Sequence, residues 1–226
     1  MTDRGGIRVG IFGGTLDPIH VGHLETIRAA QRALGLTQVI VMPVRIPPHR
    51  TQSPSASTFH RFAMAALAIG EVPDAEVSDA ELRAEGPSYT ASTLERLAAE
   101  GLRGSQMFFI TGADAFADIE TWYRYPEVLD LCHFAVVSRT GVAATSIPAR
   151  LPQLAPRFRD PNDAAAADAG PVIFLIDAPT PDVSSTDIRR RLRAGDAITT
   201  LVPETVEQHI RRHGLYATHA HTGSLV

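Results

Sequence analysis

Two histidines three residues apart, His20 and His23, flank Gly22 a few positions after Gly13-Gly14-Thr15 and the pair Asp17-Pro18. At this spacing both rings fall on one face of a helical turn, and the missing side chain at Gly22 leaves the space between them open. Imidazoles so placed donate hydrogen bonds to phosphate oxygens. If a helix starts near His20 to His23, its free amides and its dipole add to the attraction for an anion. Two other chemistries compete for this stretch. A dinucleotide fingerprint needs Gly-x-Gly-x-x-Gly with an acidic residue about 20 positions on, which Gly10-x-x-Gly13-Gly14 does not fit. A zinc site would need a further Glu or His, and the zincin pattern is i, i+4 rather than i, i+3. Phosphate binding is favoured over a metal site and over a purely structural pair.

The elements that must position these residues follow from periodicity. Ile7–Phe12 reads as a short buried strand, Gly13-Gly14 as a sharp turn, and Leu24, Ile27, Ala30 and Leu34 as the inner face of a helix. Apolar runs recur at Val39–Val44, Gln106–Thr111, Phe134–Ser138 and Val172–Asp177, with helical patterns between them. Such alternation predicts an α/β fold: a Rossmann-like, doubly wound, mostly parallel sheet with helices on both faces. Ligands then lie beyond the carboxyl ends of the strands. The residues found there are Pro47-Pro48-His49-Arg50, Gly112-Ala113-Asp114 and Arg139. Asp114 reads equally as a helix cap or a ligand contact, and His49-Arg50 as a solvated loop tip or a functional arm. Pro87-Ser88-Tyr89-Thr90 leads into a helix capped by Thr90 or Ser92, and Trp122-Tyr123 holds the chain's one tryptophan, a core residue or a stacking platform.

Between these, Ser57 caps a helix predicted to carry Phe59, Phe62, Ala63, Ala66 and Leu67 inward, and Glu76–Leu82 suggests an edge strand. Thr140–Pro171 reads as surface loop in which Leu151, Leu154 and Phe158 dock a short helix, with no chemistry. In Val183-Ser184-Ser185-Thr186-Asp187-Ile188-Arg189-Arg190-Arg191, Ser184 and Asp187 have capping-box spacing, and Val183 and Ile188 that of a hydrophobic staple. Arginines in a helix's first turns oppose its dipole, a mismatch that a bound polyphosphate would remove. A last helix starts at Pro203, buries Val206 and Ile210 and stops at Gly214. The chain reads as one domain over 1–216, with 183–216 as a C-terminal helical part and 217–226 as a disordered tail.

Bulk composition narrows the partners. With 226 residues, 44% hydrophobic and 20% charged, the chain is long enough for a proper core. Its net charge of −4 argues against nucleic acid, so any anion site must be local. The one cysteine, Cys132, excludes an internal disulfide and reads as a buried small hydrophobe. No apolar run approaches membrane-spanning length and Met1–Gly6 lacks a signal segment, so a cytoplasmic location with no membrane partner is expected.

Taken together, Gly13–His23 and Ser184–Arg189 resemble the nucleotidyltransferase superfamily, whose His-x-Gly-His binds ATP phosphates. Pro47–Arg50, Pro87–Thr90, Gly112–Asp114 with Trp122, and the closing His213-Gly214-Leu215-Tyr216 are similar to its nicotinate-nucleotide adenylyltransferase family. The family usually has Phe at Leu16 and Lys at Arg50; the second difference keeps charge and alters geometry. The resemblance implies an enzyme joining ATP to nicotinate mononucleotide in NAD biosynthesis. It further implies that Gly13, Gly14, Thr15, His20 and His23 hold ATP phosphates and that Ser185, Thr186 and Arg189 clamp the same triphosphate, with His20, His23 and Arg189 catalytic. Tyr89, Thr90, Trp122 and Tyr123 would form the nicotinate pocket, Asp114 would meet a ribose, and His49, Arg50 and Arg139 would approach the substrate. Magnesium would arrive on ATP rather than in a protein cage. Rival readings are a relative acting on nicotinamide mononucleotide or pantetheine phosphate, a cytidylyltransferase, and a non-catalytic nucleotide sensor.

Overall fold

A computed structural model describes residues 6–47, 53–163 and 170–217. The chain runs β1 (Val9–Gly14), α1 (Val21–Leu34), β2 (Gln38–Pro43), α2 (Thr58–Ile69), β3 (Ala75–Val77), α3 (Ala80–Arg83), α4 (Thr90–Ala99) and β4 (Met107–Gly112). It continues through α5 (Ala113–Phe116), β5 (His133–Val137), α6 (Ile147–Arg150), β6 (Phe158–Arg159), β7 (Ile173–Ile176), α7 (Ser185–Ala194) and α8 (Glu204–Arg212). The seven strands form one sheet in the order β3-β2-β1-β4-β5-β7-β6, and every pairing is parallel. This is the doubly wound arrangement expected from the alternating pattern.

Burial on both faces explains why the strands read as continuous apolar runs rather than alternating ones. On one face Leu24 and Ile27 of α1, Met64 and Ala68 of α2, Ile188 of α7 and Val206 and Ile210 of α8 share a core. On the other, Leu94 of α4, Phe116 of α5 and Ile147 of α6 pack with Phe109 and Phe134. Each fully buried aliphatic or aromatic side chain contributes about 1.5–3 kcal/mol.

Three expectations change. Helix α2 buries Arg61, Met64, Ala65, Ala68 and Ile69, so the stripe Phe59, Phe62, Ala63, Ala66 and Leu67 is not its inner face, and Phe59 is 84% exposed. Both stripes are apolar, and an arginine inside the true one hides it from a periodicity argument. Glu76–Leu82 divides into the end of the short edge strand β3 and helix α3. The region 140–171 is more than a loop, because it supplies α6, the far edge strand β6 and buried Ala144, Ile147, Leu151 and Leu154. Of the predicted disordered tail 217–226, residues 218–226 lie outside the described residues. Cys132 is fully buried as expected, and burial pushes its thiol up to about 12, leaving it inert.

Two buried charges tie the loop after β1 to the rest. Asp17 is 2% exposed. Its carboxylate accepts from the Ser55 amide at 2.7 Å, the Ala56 amide at 3.0 Å and the Tyr216 hydroxyl at 2.8 Å. Arg61, 1% exposed, donates to the carbonyls of Thr15 at 2.8 Å and Val44 at 2.7 Å. Strand β1's exit, the residues before α2 and the chain's last described segment are thereby locked together. A hydrogen bond to a charged group contributes about 1.5–3 kcal/mol. Tyr216→Phe is therefore expected to lower the unfolding free energy by that amount in urea titration at pH 7, whereas a loss under about 0.5 kcal/mol would show the bond to be energetically idle.

Candidate active site

The strand order reverses between β1 and β4, and in open α/β sheets the ligand crevice lies beyond the carboxyl ends of the strands at such a point. Gly13 and Gly14 lie within β1 rather than forming the expected turn. The reversal is made by Leu16, at φ 50°, and the cis Asp17–Pro18 peptide. The glycines instead leave the crevice floor as bare backbone: a Cβ on Gly13 would find no neighbour closer than Phe109 at 3.7 Å.

His20 is the N-cap of α1, in extended conformation, and its ring stacks on that of His23 with centroids 3.7 Å apart. The His20 amide donates to His23 Nδ1 at 3.3 Å, which places the His23 proton on Nε2, where it is a donor. His20 Nδ1 is buried with no hydrogen-bond partner among the described residues. Burial first, then the Arg139 charge, pushes the His20 imidazole down to about 3. Burial, His20 and Arg139 hold His23 well below its usual range. Both rings are thus neutral and closely packed until an anion arrives. Gly22 suits this packing, because a Cβ there would sit 3.1 Å from the His20 ring and 3.4 Å from the Pro181 carbonyl and would press on the stacked rings.

The free α1 amides expected from sequence are mostly taken. Val21 donates to the Leu201 carbonyl at 3.0 Å, and His23 and Leu24 donate to the His20 carbonyl at 2.9 and 3.3 Å. At this helix the donors left for a ligand are chiefly the imidazoles.

Helix α7 begins directly beside them. Ser184 caps the Asp187 amide at 3.1 Å, as its spacing predicted. The Ser185 hydroxyl donates to the Pro18 carbonyl at 2.9 Å, and Arg189 donates to the Asp17 carbonyl at 2.7 Å and to Thr186 Oγ1 at 3.2 Å. The Ser185 and Thr186 amides take no acceptor among the described residues. The apparent excess of arginine in this helix has an internal explanation. Asp187 pairs with Arg190 at 2.5 Å and Arg191 at 2.7 Å, so only Arg189 of the three turns toward the crevice and no polyphosphate is needed to offset the other two. The Arg191 and Arg190 guanidiniums hold the Asp187 carboxyl below its usual range.

On the other side of Gly13–Thr15 lies a cavity of about 590 Å³ whose wall includes Tyr89, Thr90, Trp122, Tyr123 and Glu81. That volume is ordinary for a small-molecule site. Trp122 is half-buried, packed edge-on against Phe109 at 5.9 Å, and so is both core and cavity wall. Tyr89 and Tyr123 lie ring on ring at 4.4 Å. Tyr89, not Thr90 or Ser92, is the N-cap of α4, and it makes no side-chain cap. The amides of Thr90 and Tyr123 take no acceptor among the described residues.

Asp114 is exposed in the first turn of α5, so it is not the helix cap. Its carboxylate and the Arg139 stem both lie over Gly112, where an added Cβ would come within 2.7 Å of Arg139 Cγ. Arg139 also lines a second crevice with Thr140, Asp177 and Thr180 at the ends of β5 and β7. His49 and Arg50 lie outside the described residues. No group of three or more His, Cys, Asp or Glu able to hold a metal is present among the described residues.

Sequence reasoning assigned no role to Asp17, Arg61 or Glu81. Asp17 was visible as a motif member. Arg61 and Glu81 carried no local signal, since their partners are distant carbonyls and a hydroxyl from another helix.

The profile of the cytidylyltransferase-like family matches residues 11–191. A protein of Pectobacterium atrosepticum named probable nicotinate-nucleotide adenylyltransferase is 41% identical, covering 91% of this chain and 96% of its own. A protein of the same name from Desulfatibacillum aliphaticivorans is 37% identical over 93% of this chain and all of its own. The structure of Plasmodium falciparum nicotinic acid mononucleotide adenylyltransferase complexed with NaAD matches with TM-score 0.67 and 17% identity, over 93% of this chain and 98% of that one. At that identity it bears on the fold alone.

A histidine held neutral in the folded state stabilises the protein above its unfolded pKa of about 6.5 and loses that stabilisation as the unfolded chain takes up the proton at lower pH. Held near 3, His20 should remove about 2 kcal/mol between pH 7 and pH 5. Unfolding of wild type and His20→Gln at the two pH values measures this, the stability difference between them narrowing by that amount at pH 5. A gap unchanged within about 0.5 kcal/mol would mean that the ring is not held neutral.

Proposed function

This chain belongs to the nicotinate-nucleotide adenylyltransferase family, and we propose that it transfers the adenylyl group of ATP to nicotinate mononucleotide, releasing pyrophosphate and forming nicotinate adenine dinucleotide for NAD biosynthesis. The observation that carries this reading is a pair of neighbouring compartments meeting at the end of β1: an aromatic cavity on one side, and on the other a crevice walled by imidazoles, Arg139 and the start of α7. A flat ring suits the first and a triphosphate the second.

In this reading the ring of nicotinate mononucleotide stacks on Trp122 beside Tyr89 and Tyr123, and its carboxylate takes the unengaged amides of Thr90 and Tyr123. Asp114 meets a ribose hydroxyl, and Arg139 lies between the two substrates. ATP phosphates pass over Gly13, Gly14 and Thr15 to His20, His23, Arg189 and the amides of Ser185 and Thr186. The Ser185 hydroxyl already serves Pro18, so its amide is the group on offer. His49 and Arg50 would lie over the phosphates. The donor set at the crevice is imidazole, guanidinium and amide, not the carboxylate oxygens that magnesium prefers. Magnesium would therefore enter bound to ATP, supplying charge neutralisation on its phosphates.

A substrate phosphate oxygen attacks the α-phosphorus in line. One P–O bond forms, the bond to the bridging oxygen breaks, and pyrophosphate leaves with the electron pair. The attacking monoester is already anionic at pH 7, so no general base is required. What the residues contribute is alignment and stabilisation of charge developing on the phosphates. An anion beside these rings offsets the Arg139 field and favours protonation of His20, whose Nδ1 is unengaged, while His23 offers its Nε2 proton.

No helix among the described residues is long and apolar enough to cross a membrane. A cytoplasmic, single-domain enzyme spanning 1–216 is part of the proposal.

Pyrophosphate release from ATP, assayed with nicotinate mononucleotide, nicotinamide mononucleotide and pantetheine phosphate, tests the assignment; a best rate with either of the last two overturns it. In the same assay His20→Ala is expected to lower kcat by about 10²-fold or more, as loss of a transition-state donor does. A correctly folded variant with near wild-type kcat would remove His20 from that role. Trp122→Ala should chiefly raise KM for the mononucleotide, because stacking acts on ground and transition states alike. A collapse in kcat at unchanged KM would argue otherwise.

A further inference from the structure

Glu81 is the group in the aromatic cavity that the mechanism leaves unused. It is 3% exposed and lies on the wall with Trp122, Tyr89 and Thr90. One carboxylate oxygen, Oε1, bonds the hydroxyl of Thr93 on α4 and lies 3.6 Å from Arg96 Nη1. The other, Oε2, is buried with no hydrogen-bond partner among the described residues. Arg96 donates to the Ala80 carbonyl and is not part of the cavity wall, whereas Glu81 is. The second acidic residue on the wall, Asp118, is exposed, and water screens it.

Although Arg96 partly balances it, the charge of a buried carboxylate on the wall favours a cation in the cavity over a neutral group of the same shape. A pyridine joined to ribose through its ring nitrogen carries a positive charge on that ring. We propose that Glu81 is a specificity residue that recognises this charge, so that the site takes an oxidised, cationic pyridinium mononucleotide and rejects the neutral dihydropyridine form of the same shape. Trp122 acts with it, since an indole face also attracts a cation. The proposal rests on the adenylyl-transfer reading above, and it names the ring charge as what the aromatic cavity selects.

The test compares KM for nicotinate mononucleotide with KM for its 1,4-dihydro form, in wild type and in Glu81→Gln. The glutamine carbonyl can still accept from Thr93, while the charge and its 3.6 Å pairing with Arg96 are lost, so a urea unfolding midpoint measured beside KM separates a folding effect from a binding one. Wild type is expected to prefer the pyridinium by at least about tenfold, and Glu81→Gln to lose most of that preference through a raised KM for the cationic substrate alone. Equal KM values for both forms in wild type overturn the proposal without needing the variant. So does a variant that raises both values by one factor, which would make Glu81 only a prop for α4. A third contrary result is a variant that improves nicotinate over nicotinamide mononucleotide, which would set Glu81 against the ring's carboxyl group. Wild type that fails to turn over nicotinate mononucleotide would instead reject the activity itself, so the two failures are distinct.

Discussion

A single buried carboxylate, Asp17, holds this molecule's working end together. Its side chain gathers the Ser55 and Ala56 amides and the Tyr216 hydroxyl, while its own carbonyl receives Arg189. A charge removed from water is tolerable only when its lone pairs are satisfied. Here the satisfying groups come from segments far apart in the chain. Satisfying Asp17 therefore obliges the exit of β1, the residues before α2, the start of α7 and the segment after α8 to occupy fixed relative positions. Arg61 does the same from below, with a guanidinium whose proton affinity burial lowers and whose donors fix the carbonyls of Thr15 and Val44. The crevice keeps its shape because two ions beneath it cannot be left unpaired.

The same reasoning explains why the imidazoles are neutral. Ring centroids 3.7 Å apart with Arg139 nearby would be strongly repulsive if both rings were charged. The fold avoids that repulsion by burying them, and so accepts rings that attract a proton only when an anion compensates. Protonation and anion binding at this point are coupled by electrostatics, not by any moving part. Arg189 differs because it is permanently charged, and it is held by neutral oxygens, the Asp17 carbonyl and Thr186 Oγ1, rather than by a close carboxylate. Its nearest carboxylate oxygen, on Asp17, is 3.9 Å away. A guanidinium kept in place by weak neutral acceptors retains most of its attraction for a stronger anionic one.

What could be read from the chain, and what could not, divides along sequence distance. The strands β1, β2, β4, β5 and β7, the α1 stripe and the Ser184 cap depend on neighbours within a few residues, and each lies within a residue or two of where periodicity put it. The His-x-Gly-His spacing is local too, so the two rings on one face were legible, but their stacking, which fills the space expected between them, was not. The arginines of α7 misled because the pairing acid, Asp187, was taken only as a cap partner, although i, i+3 and i, i+4 ion pairs lay within the same turn. The inner face of α2 was hidden because apolar residues occur on both sides and a buried arginine marks the true one. Glu81 and Arg61 answer to partners brought close only by the fold, so no window of sequence contains the information.

The position of β1 unites these observations. It is the strand where the winding of the sheet changes direction, so loops diverge from it to both sides and leave a gap on each. Chain direction alone would produce one gap open to any ligand. The chemistry of the two sides makes them different: aromatic rings and the buried Glu81 carboxylate toward α4, imidazoles and a guanidinium toward α7. Bare backbone at Gly13 and Gly14 separates them, with no side chain to hold the occupants apart. In the proposed reading, two substrates drawn to opposite sides by opposite charge preferences would present their phosphates to each other across two glycines. In a displacement at phosphorus that needs no protein base, this alignment is the greater part of what an enzyme has to supply.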